Sequence, residues 1–377
     1  MRRIVVALDS FKGSLTSLEA GTAFAEGIGA VCPDVEVRVV AIADGGEGMA
    51  EAVAMSGRGV LCEVATCDAR RRPIMASYAI MDEDNTAVIA MAAASGLTLL
   101  DTAERNPLVA STYGTGIMLR DALMRGCRKI VVGLGGSATN DCGVGMLMAL
   151  GYRFYDADGE ELTVPIDILE RVSHLSDDEV IAQLAEATIV VASDVDSPLY
   201  GERGAAHVFA PQKGADSAMV ERLDAALRRF ATVVEGEAQT PLAHAAGMGA
   251  AGGMGYALAR FMNGVIVKGV DVVLDMVDFD ALIADADLVV TGEGCIDNQT
   301  LMGKAPSGVL RRAQRLGIPC IVVGGRVDES VRFERRGFAA VYAVTPVDMP
   351  LEEAMQTPRA YENVRRCAAK IAQTFGK

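Results

Sequence analysis

The sequence predicts an α/β protein: a flavodoxin-like open parallel sheet domain built from both chain ends, with a large inserted second α/β domain containing antiparallel or mixed strands. Three observations predict it. Short apolar, β-branched runs alternate with helix-period stretches at both ends, two such units before residue 59 and three after residue 285. Between them, residues 60–66, 74–81 and 86–91 read as strands joined by polar turns too short for a parallel crossover. Finally, the terminal runs end on glycine beside acids or small polar residues, and in open parallel sheets ligands bind beyond such strand ends. The expected organisation is a discontinuous domain of residues 1–58 plus 285–377, and an inserted domain of residues 59–284.

Taken in order, residues 4–8 form a buried-type strand that ends on Asp9-Ser10-Phe11-Lys12-Gly13-Ser14. A helix pattern over 17–29 leads to a second strand, 35–42, ending on Asp44-Gly45-Gly46-Glu47-Gly48. After the antiparallel region, Ser111-Thr112-Tyr113-Gly114-Thr115-Gly116 opens a helix to residue 125. Residues 130–132 then feed the loop Gly133-Leu134-Gly135-Gly136-Ser137-Ala138-Thr139-Asn140-Asp141, with a helix from about Gly143. Residues 156–170 are polar and turn-rich. A further strand, 186–191, ends on Ser193-Asp194-Val195-Asp196-Ser197, and an amphipathic helix spans about 218–234. The glycine cluster 247–255 reads as close helix packing. Strand and helix rhythm returns at 288–290 with Thr291-Gly292-Glu293-Gly294, then Asp297, Gln299, Thr300 and Lys304; residues 318–323 and 341–344 are the last strands.

Composition narrows the function. Across 377 residues the net charge is −15, and half the chain is hydrophobic. Nucleic acid and anionic membranes need basic surface, so neither is expected as a partner. Eight scattered cysteines, with no CxxC and no Cys/His cluster, fit free thiols in a reducing cytoplasm better than disulfides or zinc. No run reaches the roughly 18 apolar residues of a membrane span, and the N-terminus is too short in apolar residues for a signal peptide. Three histidines leave little for His-based catalysis.

The loop after residue 132 has the form strand, glycine-rich turn, helix, in which uncovered backbone N–H groups can meet an anionic oxygen. A conventional P-loop is absent, since Asn298 and Ala305 replace its first glycine and its Ser/Thr around Gly303-Lys304. Gly133 to Ala138 matches GxGxxA, with Asp156 roughly 20 residues further on, so a nicotinamide-dependent hydroxy-acid dehydrogenase is an alternative. Phosphoryl transfer asks for donors around the phosphates, carboxylates to hold a divalent cation, a lysine for developing charge and an acid to handle the acceptor hydroxyl. Asp44, Glu47 and Glu293 are candidate metal holders; Lys12, Lys213 and Lys304 candidate cations; Asp9, Asp141, Asp194 and Asp297 candidate bases. Any one acid alone is a cap or a surface charge. Their recurrence after four separate strands points to a phosphotransferase cleft between the strand ends and the glycine loop.

Eight segments, DSFKGSLT (9–16), ADGGEG (43–48), STYGTG (111–116), GLGGSATND (133–141), DVDSPLYG (194–201), APQKGA (210–215), GAAGG (249–253) and TGEGCIDNQTLMGK (291–304), resemble in order the blocks of the type I bacterial glycerate kinase family. The resemblance spans essentially the whole chain. It implies a two-domain enzyme that transfers the γ-phosphate of ATP, with Mg2+, to D-glycerate, commonly giving 2-phosphoglycerate and in some members the 3-phosphate. It further implies that Asp194 orients or deprotonates the acceptor hydroxyl, with Asp9 or Asp297 able to exchange with it. Gly135, Gly136, Ser137, Asn140, Asp141 and Lys304 would contact the nucleotide phosphates, and Asp44 and Glu293 the magnesium. Ser10, Lys12, Gln299 and Thr300 would contact the substrate. A homodimer and a non-catalytic ligand-binding role stay open. Cys142 stands where the family usually has glycine, Cys295 where arginine is frequent, and Ser193 and Ser197 replace cysteine and asparagine around Asp194. None of these removes an acid, a lysine or a phosphate-loop glycine.

Overall fold

The computed structural model describes residues 2–236, 241–298, 300, 303–328, 330–331 and 333–375. The chain opens with β1 (Arg3–Leu8) and β2 (Glu36–Val39). It continues through β3 (Gly59–Cys67), β4 (Pro73–Met81), β5 (Ala87–Ala90), β6 (Lys129–Gly133), β7 (Arg153–Tyr155) and β8 (Glu161–Leu162). Next come β9 (His174–Ser176), β10 (Thr188–Ala192) and β11 (Val265–Val267), and β12 (Leu288–Ile296), β13 (Cys320–Val327) and β14 (Ala340–Ala343) end the series. Two compact units result: Met1–Asp44, Glu51–Arg58 and Val270–Lys377 form the first, Gly45–Ala50 and Gly59–Gly269 the second.

The first unit is a five-stranded sheet in the order β14-β13-β12-β1-β2, every pair parallel. Counted along this unit's own strands the order is 2-1-3-4-5, that of flavodoxin, and it reverses between β1 and β12. There Ile4 pairs with Leu288 and Leu8 with Gly292. Ile4, Val6 and Leu8 bury one face, with Val290 and Ile321, against Phe24 and Ile28 of the helix Ser17–Gly29 and Val364 and Ile371 of the helix Thr357–Phe375. Full burial of each such aliphatic side chain contributes about 1.5–3 kcal/mol. Thr16 starts the first of these helices: its hydroxyl accepts the Glu19 N–H while the Glu19 carboxylate accepts the Thr16 N–H at 2.8 Å. The unit resumes at Val270, earlier than residue 285. Strand rhythm misses the helices that precede β12, which Arg312 ties to this unit through Asp275 (2.6 Å) and Asp280 (3.2 Å).

The second unit holds a six-stranded mixed sheet, β11-β10-β6-β5-β4-β3. Its first four strands are mutually parallel, and β4 and β3 continue antiparallel. Ala90, Gly133, Ala192 and Val267 lie in register, so the loops after β5, β6, β10 and β11 leave one edge together. Ile130, Val132, Ile189 and Val191 share a core with Met118, Leu119, Met146, Leu147 and Phe230. The stretch 156–170, which the sequence presents as turn-rich, contains β8 and the helix Pro165–Arg171, and β8-β7-β9 form a small antiparallel sheet. Strands of two or three residues are too short to show periodicity. All eight cysteines are free thiols, and among the described residues no helix is long and apolar enough to cross a membrane.

Candidate active site

In the first unit the functional side chains gather where the sheet order reverses. The Asp9 N–H continues the ladder of β1 by donating to the Gly292 carbonyl (2.8 Å), which fixes Asp9 at the strand end. Its carboxylate accepts the Ser10 N–H at 2.7 Å and is buried. Burial, followed by the nearby charge of Asp44, holds the Asp9 carboxyl well above the ordinary carboxylate range. Phe11 and Leu15 anchor the next loop in the core, and the Phe11 N–H donates to the Leu15 carbonyl (2.9 Å). Lys12 is thereby presented at an exposed tip, where Nζ meets Asp44 Oδ2 at 3.2 Å. Asp44, and behind it Asp9 and Glu293, raise the Lys12 ammonium against the opposing effect of partial desolvation.

Glu293 sits on β12 with 8 % of its surface exposed, and burial raises its carboxyl. Lys304 Nζ lies 3.3 Å from its Oε2. Lys304 occupies the cap of the helix Ala305–Arg315, where Pro306 fixes the first turn. Thr300 is fully buried; its hydroxyl donates to Glu293 Oε1 (2.8 Å) and accepts the Asp297 N–H (3.0 Å). That hydroxyl therefore orients Glu293. Asp297 Oδ1 accepts the Thr300 N–H at 3.3 Å, completing a tight turn. Gln299 lies outside the described residues. Among the described residues no three His, Cys, Asp or Glu side chains converge closely enough to hold a metal by themselves. Asp44 and Glu293 suit a cation such as Mg2+, which takes one or two carboxylates, keeps water and completes its shell with phosphate oxygens.

In the second unit the loop after β6 is tied to its own protein. The Gly135 N–H donates to the Gly45 carbonyl (3.3 Å), the Ala138 N–H to Ser95 (2.8 Å), and the Leu97 N–H to Gly136 (2.8 Å). Asp141, read from sequence as a phosphate contact, is a buried anchor. Its carboxylate accepts the Thr112 N–H (2.8 Å), the Thr112 hydroxyl (2.9 Å) and the N–H groups of Gly143 (3.1 Å) and Gly145 (3.3 Å). Burial still raises its carboxyl. Lys213, 2 % exposed, donates from Nζ to Ser137 Oγ (2.8 Å) and to the Thr139 carbonyl (2.6 Å), and burial pulls its ammonium down to about 7. Lys213, a candidate phosphate or carboxylate cation from the sequence, lies in the short turn Pro211–Lys213 with its ammonium directed at the glycine loop.

Asn140 behaves differently. It is fully buried, and neither its amide nitrogen nor its oxygen has a hydrogen-bond partner among the described residues; the Thr139 hydroxyl is equally unsatisfied. An orphaned buried polar group costs about 1–3 kcal/mol, which a ligand would recover. The glycine cluster packs against this spot. Ala251, Gly252 and Gly253 take left-handed φ values of 52°, 68° and 93°, and the Gly252 carbonyl accepts the Cys142 N–H at 2.9 Å. A Cβ on Gly252 would collide with the Thr139 carbonyl. Cys142 itself holds φ +50°, a conformation that favours glycine. After β10, exposed Asp194 uses Oδ1 to accept the Gly269 N–H at 3.1 Å. Asp156, the acid a dinucleotide site would need for ribose, instead accepts the Asp158 (3.1 Å) and Glu160 (3.0 Å) N–H groups and pairs with Arg171 (2.5 Å).

Carboxylates interleaved with lysines beyond the strand ends of a flavodoxin-order sheet are the equipment of phosphoryl transfer, and the class they define is a kinase. The chain belongs to the glycerate kinase family, which it matches over residues 4–376. A glycerate kinase of Bacillus subtilis (strain 168) is 39% identical over 374 residues, covering 99% of this chain and 97% of the relative. A glycerate 2-kinase of Escherichia coli (strain K12) is 37% identical over 374 residues, covering 99% and 98%. The crystal structure of a putative glycerate kinase 2 from Salmonella typhimurium LT2 superposes with a TM-score of 0.83 at 40% identity, covering 100% of this chain and 98% of that one.

Proposed function

We propose that this enzyme transfers the γ-phosphate of ATP to D-glycerate and forms 2-phosphoglycerate. The observation that carries the reading is the Asp9, Lys12, Asp44, Glu293, Lys304 cluster at the reversal point of the first sheet. Three carboxylates and two lysines in one place form a charge pattern that an organic acid and a polyphosphate can each divide between them. Lys12, at the tip of its loop, is suited to the glycerate carboxylate together with the Ser10 region. Lys304, on a helix cap, is suited to a phosphate, and Asn140 to the nucleotide or its transferred group. Asp44 and Glu293 would hold magnesium, whose chemistry is to neutralise phosphate charge. The E. coli relative named a glycerate 2-kinase supports the 2-hydroxyl as acceptor.

Asp9 and Asp194 compete for the acid–base role. The burial of Asp9 beside Lys12 favours Asp9, because a carboxylate shielded from water holds an acceptor proton better than an exposed one. The test is incubation with ATP, magnesium and D-glycerate, following ADP release and passing the product straight to enolase without a mutase. Phosphoenolpyruvate is the expected product. ADP without phosphoenolpyruvate would move the acceptor to the 3-hydroxyl, and no glycerate-dependent ADP would sink the substrate.

A further inference from the structure

A cavity of about 340 Å3 lies in the second unit, among Arg71, Tyr113, Arg120 and Arg153 over a floor of Met148 to Gly151. That volume is within the range of small-ligand pockets. Its charge is not balanced. Arg153 is engaged by Glu179 (2.8 Å) and Glu161 (3.5 Å), the two glutamates of the lining. Among the described residues no carboxylate pairs with Arg71 or Arg120. In a chain of net charge −15, two uncompensated guanidinium groups on one cavity form a local exception.

The backbone adds a second, independent observation. Arg71 lies in the turn between β3 and β4 at φ +61°, a left-handed position where such turns favour glycine. Its neighbours face elsewhere: Arg70 donates to the Glu104 carbonyl (3.1 Å), and Arg72 pairs with Asp68 (2.5 Å) and Glu104 (2.6 Å). The left-handed residue instead carries its guanidinium over the Tyr113 ring, with Cζ 4.4 Å from the centroid. Stacking on a ring leaves the edge of the guanidinium, with its forked donors, available to an anion.

We infer that this cavity is a binding site for a small, multiply charged organic anion bearing phosphate or several carboxylates, separate from the residues assigned to phosphoryl transfer. Arg71 and Arg120 take the charged groups, while Tyr113 and the apolar floor cover the carbon body.

The experiment is calorimetric titration of the full chain, without magnesium, using inorganic pyrophosphate as the phosphate probe and citrate as the carboxylate probe. At least one of them is expected to bind, more tightly as salt is lowered. Arg71→Gly, which the backbone favours, and Arg120→Gln are each expected to weaken that binding at least about tenfold, as loss of a charge-assisted bidentate contact does. Both should leave the thermal midpoint and glycerate-dependent ADP release unchanged. The probe that binds identifies the anion class. Binding equal to wild type in both variants, or no binding of either probe to the wild type, overturns the proposal. So does a parallel loss of basal turnover, which would make the pair part of the reaction centre.

Discussion

The charged cluster of the first unit and the glycine loop of the second treat polar groups in opposite ways. In the first, Lys12 meets a carboxylate that solvent still reaches: its side chain is 75% exposed against 23% for its partner Asp44. That pair can exchange a protein partner for a ligand at little cost, because an exposed ion pair contributes only about 0–1 kcal/mol. In the second, Asp141 and Lys213 are buried and each is locked by several short hydrogen bonds. Breaking one of these would leave an unpaired buried charge, so the loop is fixed before any ligand arrives. One region is built to rearrange its charges and the other to hold a shape, and in the glycine loop Thr139 and Asn140 are the buried side chains left with unused bonding groups among the described residues.

Six substitutions, grouped in four tests, break or sharpen that contrast. The largest effect belongs to the exchangeable cluster: Asp9→Asn should lower kcat by about 10²- to 10⁴-fold with an unaltered unfolding midpoint, whereas Asp194→Asn should cost less. A larger loss at Asp194 would transfer the acid–base role to the second unit. Asn140→Ala comes next. If its amide serves a ligand, catalytic efficiency drops by roughly 10- to 100-fold while stability holds or rises, since an orphaned group is removed. Lower stability with normal kinetics would show the amide to be structural.

Lys213 tests rigidity through pH. Its folded value of about 7 lies below the ordinary 10.5, so between those values the folded protein binds fewer protons than the unfolded chain. Unfolding free energy from this group therefore rises with pH across that window, and the penalty is fully present below it. Lys213→Met should flatten the rise measured by denaturant titration from pH 7 to 10; an unchanged slope would contradict the assignment. The smallest effect is expected at Cys142→Gly. Relief of a left-handed φ offsets the loss of a small buried side chain, leaving stability within about 1 kcal/mol of wild type. Cys320→Gly, in β13, serves as the contrasting buried thiol and should cost more.

What could be read from the chain depended on how local its cause was. The apolar runs of β1, β12 and β13 declare themselves because each strand is buried on both faces, and the acids at their ends are placed by the strands alone. Asp141 could not be read in this way, since its partner Thr112 lies on a distant segment and nothing beside Asp141 announces it. The partners of Lys213, Ser137 and Thr139, likewise lie on a distant segment. The small sheet of β7, β8 and β9 is not legible because its strands are only two or three residues long, too short to carry a hydrophobic period. Asn140, named from sequence as a nucleotide contact, is with Thr139 a residue of that loop whose bonding groups are open among the described residues.

The pairing of Ile4 with Leu288 also bears on how the molecule is made. A ribosome adding about 5–20 residues per second releases β1 on the order of tens of seconds before β12 exists. Throughout that interval a strand that is apolar from Ile4 to Leu8 and destined for the sheet interior has β2 on one flank and nothing on the other. Its unpaired edge and apolar faces are exposed for that time, while the inserted unit has all of its own strands earlier. Chains stalled before residue 288 should accumulate as insoluble species, and solubility should return only once the helix Thr357–Phe375, which covers the apolar face of β1, has also been made.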